Sequence, residues 1–363
     1  MTQPASVVEE SARGSARNFN LDAVRAAAIS MVVLAHAAVL SPVRHPLALS
    51  LAWIGQFGVD LFFVLSGWLI GGLFWRERAA TGTVRFPRFF LRRAFRTIPP
   101  YLVALLLAWL GVRLFAPVRA QFDVGYLLFL QNYYHKIPFF SVSWSLCIEE
   151  HFYLFLPILV LLVLHWRRGL PLLLGALVLL SPLCRTFLES TSTIDVFDRS
   201  VLSTHLRLEG LVLGFWAAYL SVNQPEHWAR LARWFPWLAA PAIAAVLFSP
   251  FVPARQFFDW GFTALAVVFL IITGWAAEAP AWRLPGSVAI RRLAGMSYSI
   301  YLTHSLMLHV ARALATRCPA CVEFVYWPLA LMLILAAGYG FSVLVEKTSL
   351  RLRDRLVPHF AVT

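Results

Sequence analysis

The sequence predicts an all-α polytopic membrane protein with about ten transmembrane helices and both termini in the cytoplasm. Of its 363 residues, 60% are hydrophobic and 13% are charged, which is more apolar surface than a soluble domain can hide from water. Apolar stretches recur at about the 20-residue length that crosses a bilayer as a helix. The connections between them carry most of the arginines, and positive charge of this kind orients membrane segments.

The first two spans are predicted at about residues 21–40 and 51–75, and a basic connection at residues 76–96 follows them. The positive-inside rule places this connection, and therefore the amino terminus two spans earlier, in the cytoplasm. The other spans are predicted near residues 98–115, 149–165, 170–184, 205–220, 236–250, 259–277, 295–312 and 326–345. Basic clusters after every even-numbered span keep this alternation, so the carboxyl terminus is also predicted to be cytoplasmic.

These spans are expected to form one domain. Residues 1–17 are predicted to be a disordered cytoplasmic tail, residues 18–350 the membrane domain and residues 351–363 a basic cytoplasmic tail. The net charge of +13 is distributed over inter-helix connections, which favours contact with the lipid bilayer and not with nucleic acid. Cys318 and Cys321 have the spacing of half a metal or redox site, but no second pair completes it, so no metal is expected. Whether the two cysteines bond is left open.

The first candidate for chemistry is His36, because an ionisable residue inside a span is costly and is a functional hypothesis by default. Arg25 lies eleven residues earlier, which places both side chains on nearly the same helix face, about 16 Å apart along the axis. One face would then carry an anion-binding cation at its inner end and a proton-transfer group farther out. The alternative is a neutral histidine bonded to a neighbouring helix, with Arg25 acting as a topology signal.

The second candidate is the basic segment Phe86–Arg96. Its guanidinium groups at Arg85, Arg88, Arg92 and Arg96 repeat every three or four residues and share one helix face. One interpretation is an amphipathic helix held by anionic lipid. The other is a phosphate-binding surface aligned with Arg25, since guanidinium binds phosphate through two parallel hydrogen bonds. The two interpretations are compatible.

The third candidate is the string Ser143–Tyr153 at the start of the fourth span. Glu149 and Glu150 suit the first turn of a helix, where carboxylates stabilise the dipole. Either glutamate would also be placed to support His36, because a carboxylate on one imidazole nitrogen fixes the tautomer and stabilises the imidazolium. The sequence does not choose between the two glutamates.

Together these segments resemble the bacterial membrane acyltransferases called acyltransferase family 3. The resemblance rests on six segments that occur in order over most of the chain: Asn20–Arg25 with ten residues before His36, Gly58–Gly67, Arg92–Tyr101, Trp144–Tyr153, Thr204–Gly210 and Ser297–His304. It implies ten core helices, acyl-CoA as the co-substrate, a carbohydrate or lipid-linked acceptor, and His36 as the principal catalytic residue. Some members carry an additional carboxy-terminal hydrolase-like domain. Because this chain ends at Thr363, its membrane core is expected to work alone or with a separate periplasmic partner.

The resulting hypothesis is an O-acyltransferase of the bacterial inner membrane that moves an acyl group, acetyl being the first guess, onto an acceptor hydroxyl. Arg25, Arg92, Arg93 and Arg96 would hold the CoA phosphates, and His36 would act as base with Glu149 or Glu150. The candidate substrate-binding residues are Trp144, Ser145, Tyr153, Arg207, Glu209 and His304. Arg207 and Glu209 would pair with each other or touch the acceptor, and His304 would be a packed histidine or position a substrate.

The sequence leaves three points about the mechanism and function open. Direct transfer and an acyl-His36 intermediate are equally compatible with the sequence. The competing class is a transporter of acyl groups or glycans, although the inverted repeats frequent in transporters are not detected in the sequence. A third interpretation is an inert assembly partner of a glycan synthase, in which His36 could be replaced freely.

Overall fold

The computed structural model describes residues 18–43, 45–115, 121–134, 136–165, 170–191, 202–252 and 256–357. These residues form helices and the turns between them, with no β-strand among them, which confirms the predicted all-α class. The predicted tail at residues 1–17 lies outside the described residues. So do residues 358–363 of the predicted carboxy-terminal tail and the basic residues that follow the fourth predicted span.

The helices described in the first half of the chain are α1 Phe19–Leu40, α2 Pro46–Gln56, α3 Gly58–Thr81, α4 Phe86–Phe115, α5 Trp144–His165 and α6 Leu170–Thr191. Those described in the second half are α7 Glu209–Asn223, α8 Pro225–Ala232, α9 Phe235–Phe248, α10 Phe262–Glu278, α11 Ser287–Gly295, α12 Ser297–Ala315, α13 Val322–Phe341 and α14 Lys347–Leu356. A π-helical turn, Phe257–Gly261, leads into α10, and another, Ser342–Glu346, joins α13 to α14. Helix α14 thus runs across the predicted boundary between membrane domain and tail.

Six helical segments in the described ranges are long and apolar enough to cross a membrane: Phe19–Leu40, Ala48–Thr81, Phe86–Leu114, Ser141–His165, Phe257–Glu278 and Phe324–Leu356. A bent pair, Pro225–Ala232 with Phe235–Phe251, makes a seventh if its 58° break lies within one span. The other predicted spans coincide with helices that are shorter or more polar. Helix α7 has 15 residues, and α12 carries several hydroxyl and imidazole side chains. The chain is therefore a multi-pass helical membrane protein.

The surface of the bundle agrees with this assignment. On α5, Leu154, Phe155, Ile158 and Leu161 are each more than half exposed. A soluble protein rarely leaves so continuous an apolar face uncovered, but hydrocarbon is a good solvent for it. The outer face of α5 therefore faces lipid.

The tightest contact between helices joins α3 to α7. A Cβ atom on Gly67 would lie 2.2 Å from the carbonyl oxygen of Leu211, and one on Gly214 would lie 2.2 Å from that of Val64. Only glycine allows two backbones to approach this closely, as small residues do at helix crossings within membranes. Helices α3 and α7 therefore form one rigid unit.

Helix α1 is held at its amino-terminal end by asparagines. The Asn18 side chain caps the helix by accepting from the backbone N–H groups of Asn20 and Leu21. The buried Asn20 amide donates to the carbonyl oxygens of Ala279 and Pro280 and accepts from the backbone of Trp282. These bonds fix the rotation and depth of α1, and with them the positions of Arg25 and His36.

Candidate functional site

A polar cleft of about 140 Å³ lies within the bundle, between α1, α3, α4, α5 and α12. Polar side chains inside a membrane bundle are energetically costly, so a cleft that gathers them marks a candidate functional site. The polar side chains that line it are Arg25, Ser66, Arg93, Arg96, Thr97, Ser145, Glu149, Ser297, Tyr298 and Tyr301. It gathers residues from five of the six segments on which the family resemblance rests.

Glu149 fixes one arginine in this cleft. The Arg93 guanidinium donates to Glu149 at 2.9 Å and to the Tyr153 hydroxyl at 2.5 Å, and it stacks over the Tyr153 ring at 4.3 Å. The Tyr153 hydroxyl donates in turn to Glu149 at 2.7 Å, and Ser66 donates to the other carboxylate oxygen at 3.4 Å. Charge-assisted bonds of this kind orient a guanidinium strongly. Glu149 therefore positions Arg93, while Glu150 lies beside Thr97 and Arg93.

The other predicted anion-binding arginines are divided between two places. Arg25 lines the cleft and pairs with Asp22 at 3.3 Å, and Arg96 lines it with no carboxylate in ion-pair distance among the described residues. Arg92 lies elsewhere: it pairs with Asp354 at 3.0 Å and donates to the Val357 carbonyl oxygen. Arg92 therefore does not line the cleft with Arg93 and Arg96, and its role in binding the CoA phosphates stays a prediction.

His36 and His304 form a pair. Their ring centroids lie 4.9 Å apart in an edge-to-face arrangement. The Nδ1 atom of His36 lies 2.8 Å from the Val32 carbonyl oxygen, and that of His304 lies 2.7 Å from the Tyr301 carbonyl oxygen. A carbonyl can only accept, so these contacts assign the proton to Nδ1 in both rings. Each Nε2 then carries a lone pair, and that of His304 is buried without a hydrogen-bond partner among the described residues.

The expected support of His36 by Glu149 or Glu150 is absent from this structure. No carboxylate among the described residues hydrogen-bonds the His36 ring, and Glu149 is already occupied by Arg93, Tyr153 and Ser66. The helix carbonyl of Val32 takes the place of the carboxylate and fixes the same tautomer. The predicted packed position of His304 is found, since its side chain is fully buried.

The cleft and the histidine pair meet at Tyr301. Its hydroxyl donates to the Val142 carbonyl oxygen at 2.7 Å, so the Ser145 hydroxyl, 2.5 Å away, donates to Tyr301. The Tyr301 ring contacts the His304 ring, with centroids 5.6 Å apart, and His304 contacts His36. His36 itself does not line the cleft. The connection from arginines to catalytic candidate therefore runs through Tyr301 and His304.

Arg207 and Glu209 do not pair with each other, contrary to one expectation. Arg207 pairs with Asp60 at 2.5 Å and lies 3.7 Å over the Phe262 ring, while Glu209 pairs with Arg185 at 2.8 Å. Both arginines and both carboxylates are nearly or fully buried. None of these four side chains lines the cleft, and neither does Trp144, whose ring packs against Phe63 and faces Arg207. These residues join α3, α6 and α7.

Several residues that complete the site escaped the sequence analysis. Ser66 and Tyr301 each contact a predicted residue, and Asp60 and Arg185 are the partners of Arg207 and Glu209. A polar side chain inside an apolar span is the signal that marks Asp60, Ser66 and Tyr301, whereas Arg185 directly follows the predicted span at residues 170–184. In the described part of the chain, no group of three or more His, Cys, Asp or Glu residues is placed to hold a metal ion.

Known proteins resemble this chain over most of its length. The chain is 24% identical over 314 residues to a Staphylococcus aureus (strain COL) protein named "Putative O-acetyltransferase", covering 78% of this chain and 49% of that one. It is 27% identical over 297 residues to the peptidoglycan O-acetyltransferase OatA of Listeria monocytogenes, covering 74% and 47%. The chain thus spans about half the length of these curated relatives. No solved structure matches it.

The family comparison covers more of the chain than either relative. The profile described as "Acyltransferase domain", that of acyltransferase family 3, matches residues 18–346. That range begins with the Asn18 cap and ends at Glu346, so it contains the cleft and both histidines. This chain belongs to acyltransferase family 3 and is a membrane acyltransferase.

Proposed function

We propose that this protein transfers an acyl group from acyl-CoA to a hydroxyl of a carbohydrate or lipid-linked acceptor. The observation that carries the proposal is the basic cleft, which is sunk in an apolar bundle and whose lining residue Tyr301 contacts His304, the neighbour of His36. Two of its three guanidinium groups are oriented by carboxylates, and that of Arg96 is not. A phosphorylated donor suits this arrangement, because a bound anion would satisfy Arg96.

In the proposed reaction, His36 is the general base. Its Nε2 takes the proton of the acceptor hydroxyl as the hydroxyl oxygen attacks the thioester carbonyl carbon. The carbon–sulfur bond then breaks, and the leaving thiolate of CoA takes the proton back from the imidazolium. His304 lies in edge-to-face contact with the His36 ring and would hold that ring in position. A transient acyl-His36 is the other route, and acetyl is our first choice of acyl group.

The proposed setting is the bacterial inner membrane, with ten spans in the domain 18–350 and both termini in the cytoplasm. The bonded pair Cys318–Cys321 supports this orientation, because the connection that contains it would face the oxidising outer side. The Listeria relative is named a peptidoglycan O-acetyltransferase, and this name favours a glycan acceptor.

The test is acyl transfer by the purified protein. Labelled acetyl-CoA is supplied in detergent or nanodiscs, and release of free CoA thiol is measured with and without a hydroxyl-bearing glycan. We expect His36→Gln to lower the rate roughly 10²–10⁴-fold, the usual contribution of a general base. The matched control is His227→Gln, since His227 is an exposed histidine on α8. Equal rates in His36→Gln and the control would refute the proposal, and labelled acyl movement without CoA release would indicate a transporter.

A further inference from the structure

A second cavity, of about 650 Å³, lies between α4 and α12. Its volume falls within the range typical of ligand sites, and it does not share a lining residue with the basic cleft. Three small residues on one face of α4 create the space: Ala104, Ala108 and Gly111. Opposite them, α12 contributes aliphatic side chains such as Leu306.

The cavity continues the line of the cleft. On α4, Thr97 lines the cleft and Ala104 lines the cavity, and seven residues return to nearly the same helix face two turns farther on. On α12, Tyr298 lines the cleft, and Ser305 lines the cavity seven residues later. The hydrogen bond from the Tyr298 hydroxyl to the Thr97 carbonyl oxygen, 2.9 Å, spans this seam at the cleft end. The two sites are therefore neighbours along a single groove between two helices.

The cavity opens to the side of the protein. Leu107, Val310 and Leu314 line it and remain about two-fifths exposed, and its α4 wall belongs to a segment that crosses the membrane. Hydrocarbon would reach a cavity at this depth directly from the bilayer. Ser305 and His309 lie on its α12 wall, and Ser141 lines it from the turn before α5. These polar side chains are suited to contact a polar head.

We propose that this cavity holds the hydrocarbon chain of a membrane-anchored acceptor, which enters sideways from the bilayer. The inference rests on the proposed function and specifies the acceptor as a lipid-linked one. Because lipid tails are as apolar as the cavity wall, apolar contact alone gives little preference. Shape, together with head-group contacts, would select the chain. The continuity of the groove would then hold the acceptor head close to the catalytic histidine pair.

The test uses the full-length protein in nanodiscs with a diazirine-labelled polyisoprenyl phosphate as the probe. We expect cross-links to map to α4 and α12, and we expect Gly111→Leu to reduce labelling at least tenfold. A Cβ atom on Gly111 would lie within 4 Å of Leu306 Cδ1 alone among the described residues, at 3.2 Å. The rest of the leucine side chain would extend into the cavity, so this variant should fold. Leu106→Phe is the control, because Leu106 is half exposed on α4 and lies outside the cavity.

The inference would be overturned if wild type and Gly111→Leu were labelled equally. It would also be overturned if a diazirine-labelled phosphatidylglycerol labelled the cavity better than the polyisoprenyl phosphate does, or if the cavity captured a long-chain acyl-CoA instead. The same labelling is performed on His36→Ala, in which the proposed catalysis is removed. Retained labelling there supports the cavity assignment whatever the outcome for acyl transfer. Failure of the proposed function and failure of this inference are thus separate results.

Discussion

The buried ion pair between Arg207 and Asp60 offers a sharp test of what the structure adds to the sequence. Asp60 lies in the first turn of α3 and Arg207 precedes α7, 147 residues later. The two side chains are 8% and 3% exposed. Removing one member of such a pair leaves an uncompensated buried charge, which typically costs about 3–5 kcal/mol. We therefore expect Asp60→Asn and Arg207→Leu each to destabilise the protein by about this amount.

The two variants should not be equal. Arg207 also lies over the Phe262 ring at 3.7 Å, and a desolvated contact of this type contributes about 2 kcal/mol. Arg207→Leu loses that contact and strands the Asp60 carboxylate, so it should be the more damaging change. The double variant Asp60→Leu/Arg207→Met removes both charges together. It should therefore cost less than the sum of the single changes by several kcal/mol, since paired charges couple strongly.

The assay is the free energy of unfolding in mixed detergent micelles, measured for the wild type, both single variants and the double variant. Because neither side chain lines the cleft, the folded fraction of each variant should keep its KM for the donor. Single variants destabilised by less than about 1 kcal/mol, the usual value of an exposed pair, would refute the structural assignment. A raised KM with unchanged stability would restore the substrate-binding role that the sequence suggested.

Three further predictions concern the rest of the molecule. Gly67→Ala should abolish recovery of folded protein by size-exclusion chromatography, because its Cβ would strike the Leu211 carbonyl oxygen. The control is Gly340→Ala, since Gly340 has open space around it. Equal recovery of the two variants would contradict the packing. Tyr301→Phe should slow acyl transfer about fivefold, since the loss of a hydrogen bond of about 1 kcal/mol frees Ser145. An unchanged rate counts against the Tyr301 connection. The disulfide cysteines should react with a membrane-impermeant maleimide in intact cells only after reduction, and labelling before reduction would show them unbonded.

The fold class could be predicted from the sequence because it depends on local composition. Runs of apolar residues dictate helices in a bilayer, where every backbone group must bond within its own segment, and each predicted span coincides with a helix. The number of spans is harder to predict. Helix α7 is short because it packs against α3 inside the bundle through Gly214, and hydropathy does not distinguish a buried helix from a lipid-facing one.

Some candidate residues of the site are brought together by the structure, but their contacts could not be predicted. Arg25, Arg93, Arg96, Ser145 and Glu149 line one cleft, and their roles in the reaction stay predictions. Which group each one contacts depends on how distant helices are rotated against each other. The sequence therefore suggested a carboxylate beside His36, where tertiary packing places His304.

Helix α3 explains how one short sequence serves both the architecture and the site. Val59, Phe62, Ser66, Leu69 and Leu73 all line the cleft, and their spacing of three or four residues places them on one face. A neighbouring face begins with Asp60, which binds Arg207, and continues through Gly67 and Gly71, which lie against α7.

The face of α3 that lines the cleft thus lies next to the face that makes the tightest helix contact among the described residues. Preorganised polar groups act without reorganising during a reaction only if their support is rigid. Ser66, the residue of α3 that holds Glu149 and through it Arg93, lies directly beside Gly67 in sequence. A change that displaces Ser66 should therefore weaken donor binding before it alters the His36 pair, because His36 and His304 lie on α1 and α12.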